Sequence, residues 1–259
     1  MKVLKGLDVA SFAHPDDQAV MKALASSNLN NIIEQVSDIG TRYKMEMQLM
    51  GMYVRLNRED MPELYQLLEE VCRTLDYPKH PIVFMYRNKA FDWQIYIGNE
   101  PVIILTDYVL NEFDFEMLRF HLGCAVTALK ASTSQVRVAS RFALPFVISI
   151  PIIGQAAAPL LTKWSRAAAL TEDRGGLLAC QNEKTAWRYM MRRCGIPLEM
   201  IDESIVSEYL AEYKPVNEIS SVSKLILQLD RLEPWQNERF IQLFQWYNSG
   251  AYADILEDY

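Results

Sequence analysis

The spacing of apolar residues predicts two amphipathic helices in the first third of the chain. From Asp16 to Ile39 apolar positions recur three or four residues apart, and Pro15 suits a first helical turn. From Met61 to Leu75 a second apolar stripe ends just before Tyr77-Pro78, which favours termination. This stripe consists of Leu64, Leu67, Leu68, Val71 and Leu75.

The next segment changes to short β-branched and aromatic runs, which predict three strands of a small sheet. The runs occupy residues 82–86, 93–97 and 102–106. Helical periodicity returns after Asp114, a suitable N-cap, and again from Trp164 to Gln181 and beyond, with breaks at Gly195-Ile196-Pro197, Pro215 and Pro234. We therefore expect an α+β fold that is mostly helical around one small sheet.

Composition and charge narrow the class of protein. The 259 residues include 26 Lys and Arg against 33 Asp and Glu, a formal net charge of −7, so nucleic acid is not an expected partner. Half of the residues are hydrophobic, which excludes disorder for most of the chain. The four cysteines form no CxxC pair and no secretory signal is evident, so we expect reduced thiols in a cytoplasmic protein.

Two apolar segments have alternative interpretations. Residues 142–162 carry no charge, but their prolines and Gly154-Gln155 would interrupt a helix, so we expect a break there and a buried or interfacial hairpin rather than a membrane span. The hairpin would cover a cleft, contact a membrane peripherally or form an oligomer interface through 142–161. The second segment is an apolar cluster expected to belong to the core, and it consists of Met45, Met47, Leu49, Met50 and Met52.

Two helical segments carry a resemblance to a known family. The matching residues are Leu118-Arg119-Phe120, Leu122-Gly123 and Lys130 in the first segment, and Trp164-Ser165-Arg166-Ala167, Asp173-Arg174 and Gly176 to Gln181 in the second. They resemble LRFVLGHELGHIK and WSRKAELSADRAGLLACQ, the corresponding helices of soluble bacterial HtpX-like zinc metallopeptidases. Further matches are His14-Pro15, Asn88 to Phe91 and Ser249 to Tyr252. The resemblance implies a gluzincin fold, with a metallopeptidase-like domain at 1–195 and a helical extension at 196–259.

The family's catalytic chemistry needs residues that this chain lacks. Two histidines four residues apart and an acidic residue from the second helix bind zinc there, and a glutamate acts as general base. By the resemblance, Cys124 and Ala128 stand at the histidine positions, Ala125 at the base position and Ala169 at the third-ligand position. Methyl groups offer no lone pair, so the resemblance implies a degenerate HExxH motif, no zinc cofactor and a non-catalytic homologue, a pseudoenzyme.

Asp173 is a remnant of that site, since the family uses this aspartate to orient a ligand histidine. Without the histidine, we expect a helix-surface carboxylate or one paired with an arginine, for which Arg174 and Arg119 are the candidates. An alternative metal site would combine His121 and Cys124 with Glu172 or Asp173. An alternative hydrolase would use Cys124 as a nucleophile with His121 as its base.

The function expected from these observations is binding of a protein or peptide, or regulation of an active homologue. In the family the substrate pairs with the edge of the small sheet, and here Trp93, Ile95 and Ile97 alternate with Gln94 and Tyr96 on the candidate edge strand. The competing interpretation is that a neighbouring loop covers this edge, or that Trp93 belongs to the core. A third possibility is an assembly subunit whose interface is the 142–161 segment.

Overall fold

The protein is known from a computed structural model, which describes residues 1–25, 47, 49–90, 92–97, 100–131, 151–213 and 233–259. The helices are α1 (Val9–Phe12), α2 (Pro15–Ala25), α3 (Pro62–Thr74), α4 (Asp107–Glu112), α5 (Phe115–Ala131), α6 (Pro151–Cys180), α7 (Glu183–Arg193), α8 (Glu203–Glu212), α9 (Gln236–Asn248) and α10 (Ala251–Glu257). The strands are β1 (Val54–Leu56), β2 (Ile82–Tyr86), β3 (Trp93–Ile97) and β4 (Pro101–Thr106). The α+β class is confirmed. The first predicted helix is present up to Ala25, and its remainder lies outside the described residues, as do Met45, 142–150 and Pro215.

The described strands form one mixed sheet in the order β1-β2-β4-β3. Strands β2 and β4 are parallel, whereas β1 and β3 run antiparallel to their neighbours. Every residue of β4 is buried, because its side chains contact apolar groups on both faces of the sheet. The three predicted strands are confirmed, and β3 lies at the edge of the described sheet. The short strand β1 was not predicted.

The apolar cluster before β1 is not core as predicted. Leu49 is buried with Tyr96, Val102 and Ile104 on the outer face of the sheet. The methionines around it are exposed by 50%, 76% and 66%, at Met47, Met50 and Met52 respectively. The apolar cluster on this face of the sheet is small, so it covers the Leu49 side chain and leaves the neighbouring methionine side chains exposed.

Helix α5 is the central helix of the fold. The Asp114 carboxylate accepts a hydrogen bond of 2.9 Å from Met117 N–H, which confirms the predicted N-cap. Every residue from Met117 to Leu129 is buried, rather than the single stripe that the periodicity indicated. The helix is surrounded by α3, α6, α7 and β3, so all of its faces are covered.

Small residues bring α5 and α6 into close antiparallel contact. A methyl group built on Gly123 would lie 2.5 Å from Ala179 Cβ and 3.0 Å from Gly176 Cα. One built on Gly176 would lie 2.7 Å from Cys124 Sγ. Real Cβ atoms do not approach neighbours this closely, so these glycines are required for the observed distance between the helices.

Helix α6 is longer than predicted, and the expected break near Gly154 and Pro159 is wrong. The helix begins at Pro151, where a missing N–H costs nothing, and continues without interruption to Cys180. Pro159 removes only one backbone hydrogen bond from a long helix, and the preceding residues, Ala156 to Ala158, are the strongest helix formers. Within the described part of the chain, no helix combines the length and apolar character needed to cross a membrane.

The C-terminal helices share the core of the rest of the molecule. Trp187 of α7 packs against Phe240, Phe244 and Tyr247 of α9, with ring centroids 5.4 to 5.6 Å apart. Helix α9 also contacts α6, and α10 contacts α1. The apolar core is therefore continuous between the described parts of segments 1–195 and 196–259.

Replacing Gly123 by alanine should destabilise the protein by about 1–3 kcal/mol, because the added methyl group must push α6 away from α5. The melting temperature should fall by about 2–4 °C for each kcal/mol. Gly51→Ala is the matched control, since its methyl group would meet no atom within 4 Å. Equal melting temperatures for the two variants would contradict the close crossing.

Candidate functional site

The four degenerate positions lie in the interior where α5 and α6 cross. Cys124 and Ala125 have no exposed surface, Ala128 is 1% exposed and Ala169 is 5% exposed. The antiparallel crossing also brings Asp173 to α5, with its Oδ1 atom 4.0 Å from Cys124 Sγ. The two helices thus place Cys124 next to Asp173, and all five predicted positions are closed to solvent.

The side chains at these positions do not fit a catalytic zinc ion. A catalytic zinc keeps three protein ligands, and here three positions present methyl groups and one presents a thiol. Nowhere in the described residues do three or more His, Cys, Asp or Glu side chains come together in a way that could hold a metal ion.

Asp173 is buried and pairs with Arg239 of α9, not with Arg119 or Arg174 as the sequence predicted. Arg239 Nε donates to Asp173 Oδ2 at 2.8 Å, and Arg239 Nη2 donates to Oδ1 at 2.7 Å. Arg119 instead binds Glu70, and Arg174 donates to the main-chain carbonyls of Phe12 and Ala13 at the end of α1. The partner lies 66 positions away on another helix, so no local spacing could have identified it.

The ion pair is isolated from water. The side chains of Arg239 and Asp173 are 3% and 1% exposed. Burial alone would lower the pKa of Arg239, but the facing Asp173 carboxylate outweighs burial and holds this pKa well above its ordinary value. Arg239 Nη1 also lies 3.3 Å from Glu233 Oε2, which is 3.9 Å from Arg193 Nη2. The Asp173 charge is therefore balanced within a wider network.

His121 faces a different part of this network. Its Nδ1 atom forms a hydrogen bond of 2.8 Å with the Tyr189 hydroxyl, which also accepts a bond of 3.2 Å from Arg193 Nη1. Burial lowers the pKa of His121 well below its ordinary value, and the charges of Arg193 and Arg239 lower it further. His121 is thus a neutral residue bound to tyrosine. The alternative set of His121, Cys124 and an acidic residue is not assembled as a metal site.

The Cys124 thiol is also poorly suited to nucleophilic catalysis. Burial raises its pKa well above the ordinary value of 9.0, and the Asp173 carboxylate raises it further. The reactive form of cysteine is the thiolate, which this environment disfavours. His121, its proposed base, is already engaged by Tyr189.

The candidate edge strand, β3, has two distinct parts. The side chains of Trp93 and Ile95 are 9% and 2% exposed and belong to the main core, so they are not available to contact a bound peptide. Gln94 is exposed on the other face. Ile97 is the last residue of the strand, and no described strand pairs with β3 on the side away from β4. The main chain of β3, rather than these apolar side chains, is the candidate binding element.

The chain is similar to a known protein over most of its length. Over 227 residues the chain is 23% identical to the plastoglobule-localized metallopeptidase 48, a chloroplastic protein of Arabidopsis thaliana. The chain is metallopeptidase-like. The alignment covers 85% of the chain but 65% of the relative, so the chain spans less than two thirds of that protein's length. No family model matches the chain, and no solved structure matches it either.

The buried, neutral His121 should make stability depend on pH. In the unfolded chain its pKa returns to about 6.5, so the unfolded state binds the proton more readily. Stability from this residue is complete above that pH and is lost as the pH falls below it, by up to about 1.4 kcal/mol per pH unit. Urea unfolding between pH 7.5 and pH 5 should show this decline, and the decline should be smaller in a His121→Gln variant.

The matched control is His14→Gln, because burial also lowers the pKa of His14 but less strongly. The His14 variant should keep most of the wild-type pH dependence. A His121→Gln variant whose unfolding free energy declines as steeply as that of the wild type would show that His121 is not buried in its neutral form.

Proposed function

We propose that this chain is a non-catalytic, HtpX-like member of the metallopeptidases with a gluzincin fold, and that it binds an extended segment of a protein partner without cleaving it. The observation that carries the proposal is the set of groups at the α5–α6 crossing. Cys124, Ala125, Ala128 and Ala169 supply neither zinc ligands nor a general base, and Asp173 is neutralised by an arginine. The similarity to a named metallopeptidase supports the ancestry of this arrangement.

Binding is proposed to use the main chain of β3. An extended peptide can add to a sheet edge through backbone hydrogen bonds, and this mode requires no metal. The burial of Trp93 and Ile95 supports it, because two side chains anchored in the core hold the strand in a fixed, extended conformation. A preorganised strand loses little entropy when a peptide pairs with it. We propose a cytoplasmic setting and a protein or peptide partner, with no zinc cofactor.

Unfolded casein provides a test of both parts of the proposal. Fluorescein-labelled casein should remain intact after incubation with the protein and zinc. The photo-crosslinking residue p-benzoyl-phenylalanine, placed at Gln94, should join casein to the protein on illumination. The matched control is the same residue at Glu63, which is exposed on α3 and should give little crosslinked product. The Tyr65 hydroxyl of this helix bonds to β1 and β2, on the opposite side of the sheet from β3.

Two results would contradict the proposal in different ways. Cleavage of casein that a chelator abolishes would show an active metallopeptidase. Equal crosslinking from positions 94 and 63 would show that the edge of β3 is not the binding element.

A further inference from the structure

Two ion pairs join α9 to α6 with opposite polarity. Arg166 Nη2 of α6 lies 3.3 Å from Glu238 Oε2 of α9, and Asp173 Oδ1 of α6 lies 2.7 Å from Arg239 Nη2 of α9. Along α6 the order is positive then negative, and along α9 it is negative then positive. Glu238 and Arg239 are adjacent on α9, whereas Arg166 and Asp173 lie seven residues apart on α6, so the two pairs hold α9 to α6 at two separate points.

The two ion pairs differ in how deeply their side chains are buried. The Arg166 and Glu238 side chains are 13% and 11% exposed, whereas those of Arg239 and Asp173 are 3% and 1% exposed. Removing one member of a fully buried pair leaves an uncompensated charge in the interior, but replacing both members by apolar groups is often tolerated. The inner pair therefore acts as a unit.

Glu233 places an exposed carboxylate at the outer end of this unit. Its side chain is 54% exposed, and its Oε2 atom lies 3.3 Å from Arg239 Nη1. Glu233 precedes α9 along the chain, so it and Arg239 belong to the same C-terminal segment, residues 233–259. If this segment moves away from α6, the Arg239 side chain moves from the interior into water and keeps Glu233 as its hydrogen-bond acceptor. Asp173 remains on α6.

We propose that the Asp173–Arg239 pair is a latch that holds the C-terminal segment 233–259 against α6, next to Cys124. Opening the latch frees this segment while α5 and α6 remain folded together. Glycine and alanine packing holds α5 to α6 directly, whereas α9 and α10 add apolar side chains such as Phe240 and Ile255 to the same core. The latch works without a metal ion, because the guanidinium supplies the positive charge.

Hydrogen exchange followed by mass spectrometry tests the latch in the full chain. In an Arg239→Met variant the amides of α9 and α10 should exchange at least about 100-fold faster than in the wild type, because the Asp173 charge is left unpaired. The amides of residues 117–129 in α5 should stay within about tenfold of the wild type. The double variant Asp173→Leu with Arg239→Met should recover slow exchange in α9, since no buried charge remains.

Three further hydrogen-exchange measurements serve as controls. Lys184→Met removes an exposed ion pair between α7 and α8 and should leave exchange in α9 unchanged. Arg239→Lys keeps the positive charge but cannot donate two parallel hydrogen bonds to Asp173, so the exchange rate of its α9 amides should lie between those of the wild type and Arg239→Met. If Arg239→Met does not fold, Arg239→Lys takes its place. A chelator should not change exchange in the wild type.

Several results would overturn the latch. These are unchanged α9 exchange in Arg239→Met, equally fast exchange in α5 and α9, a double variant as open as the single one, or faster α9 exchange with chelator. None of them bears on peptide binding, which is measured at position 94 of β3.

Discussion

The buried carboxylate of Asp173 is the charge that the surrounding structure has to neutralise. It faces the thiol of Cys124 at a helix contact that also contains glycines, Ala179, Phe120 and Thr127, and none of these groups carries a positive charge. Arg239 does so with two hydrogen bonds from α9. Glu233 and Arg193 extend this pairing into a network, and the aromatic contacts of Trp187 with α9 support the same position of the helix.

The close contact between α5 and α6 also limits the size of the side chains that can occupy the degenerate positions. Helices α5 and α6 approach until Gly123 touches Ala179 and Gly176 touches Cys124, leaving room for hydrogen or methyl groups and little else. A larger polar side chain there would need both space and a buried partner of the kind that Arg239 gives Asp173. Under the proposed function, this part of the molecule is a packed core, and binding uses β3, the last strand in the order of the described sheet.

Local patterns predicted most of the regular elements, because helical and strand periodicities depend on neighbouring residues. The helix at Pro62–Thr74, the three longer strands and the Asp114 cap are examples. The three-residue strand β1 is too short for an alternation to be recognised. Pro159 does not interrupt α6 as its sequence predicts, because the three alanines before it strongly favour the helix.

The sequence named residues that meet where α5 and α6 cross, but not all of the contacts that these residues make. Sequence similarity placed Cys124 and Asp173 in corresponding helices, and the structure brings them within 4.0 Å. The partner of Asp173 depended on how α9 packs on α6, which involves residues far apart in the chain and leaves no periodic signal. The burial of Trp93 likewise depends on which face of the sheet receives α5.

The central claim is that an arginine, and not a metal ion, neutralises the charge at the α5–α6 crossing. Elemental mass spectrometry of protein purified without chelator or affinity metal measures this directly. The account predicts less than about a tenth of an equivalent of zinc or any other transition metal, far below the near-full occupancy of a three-ligand zinc site. Close to one equivalent of zinc would contradict it.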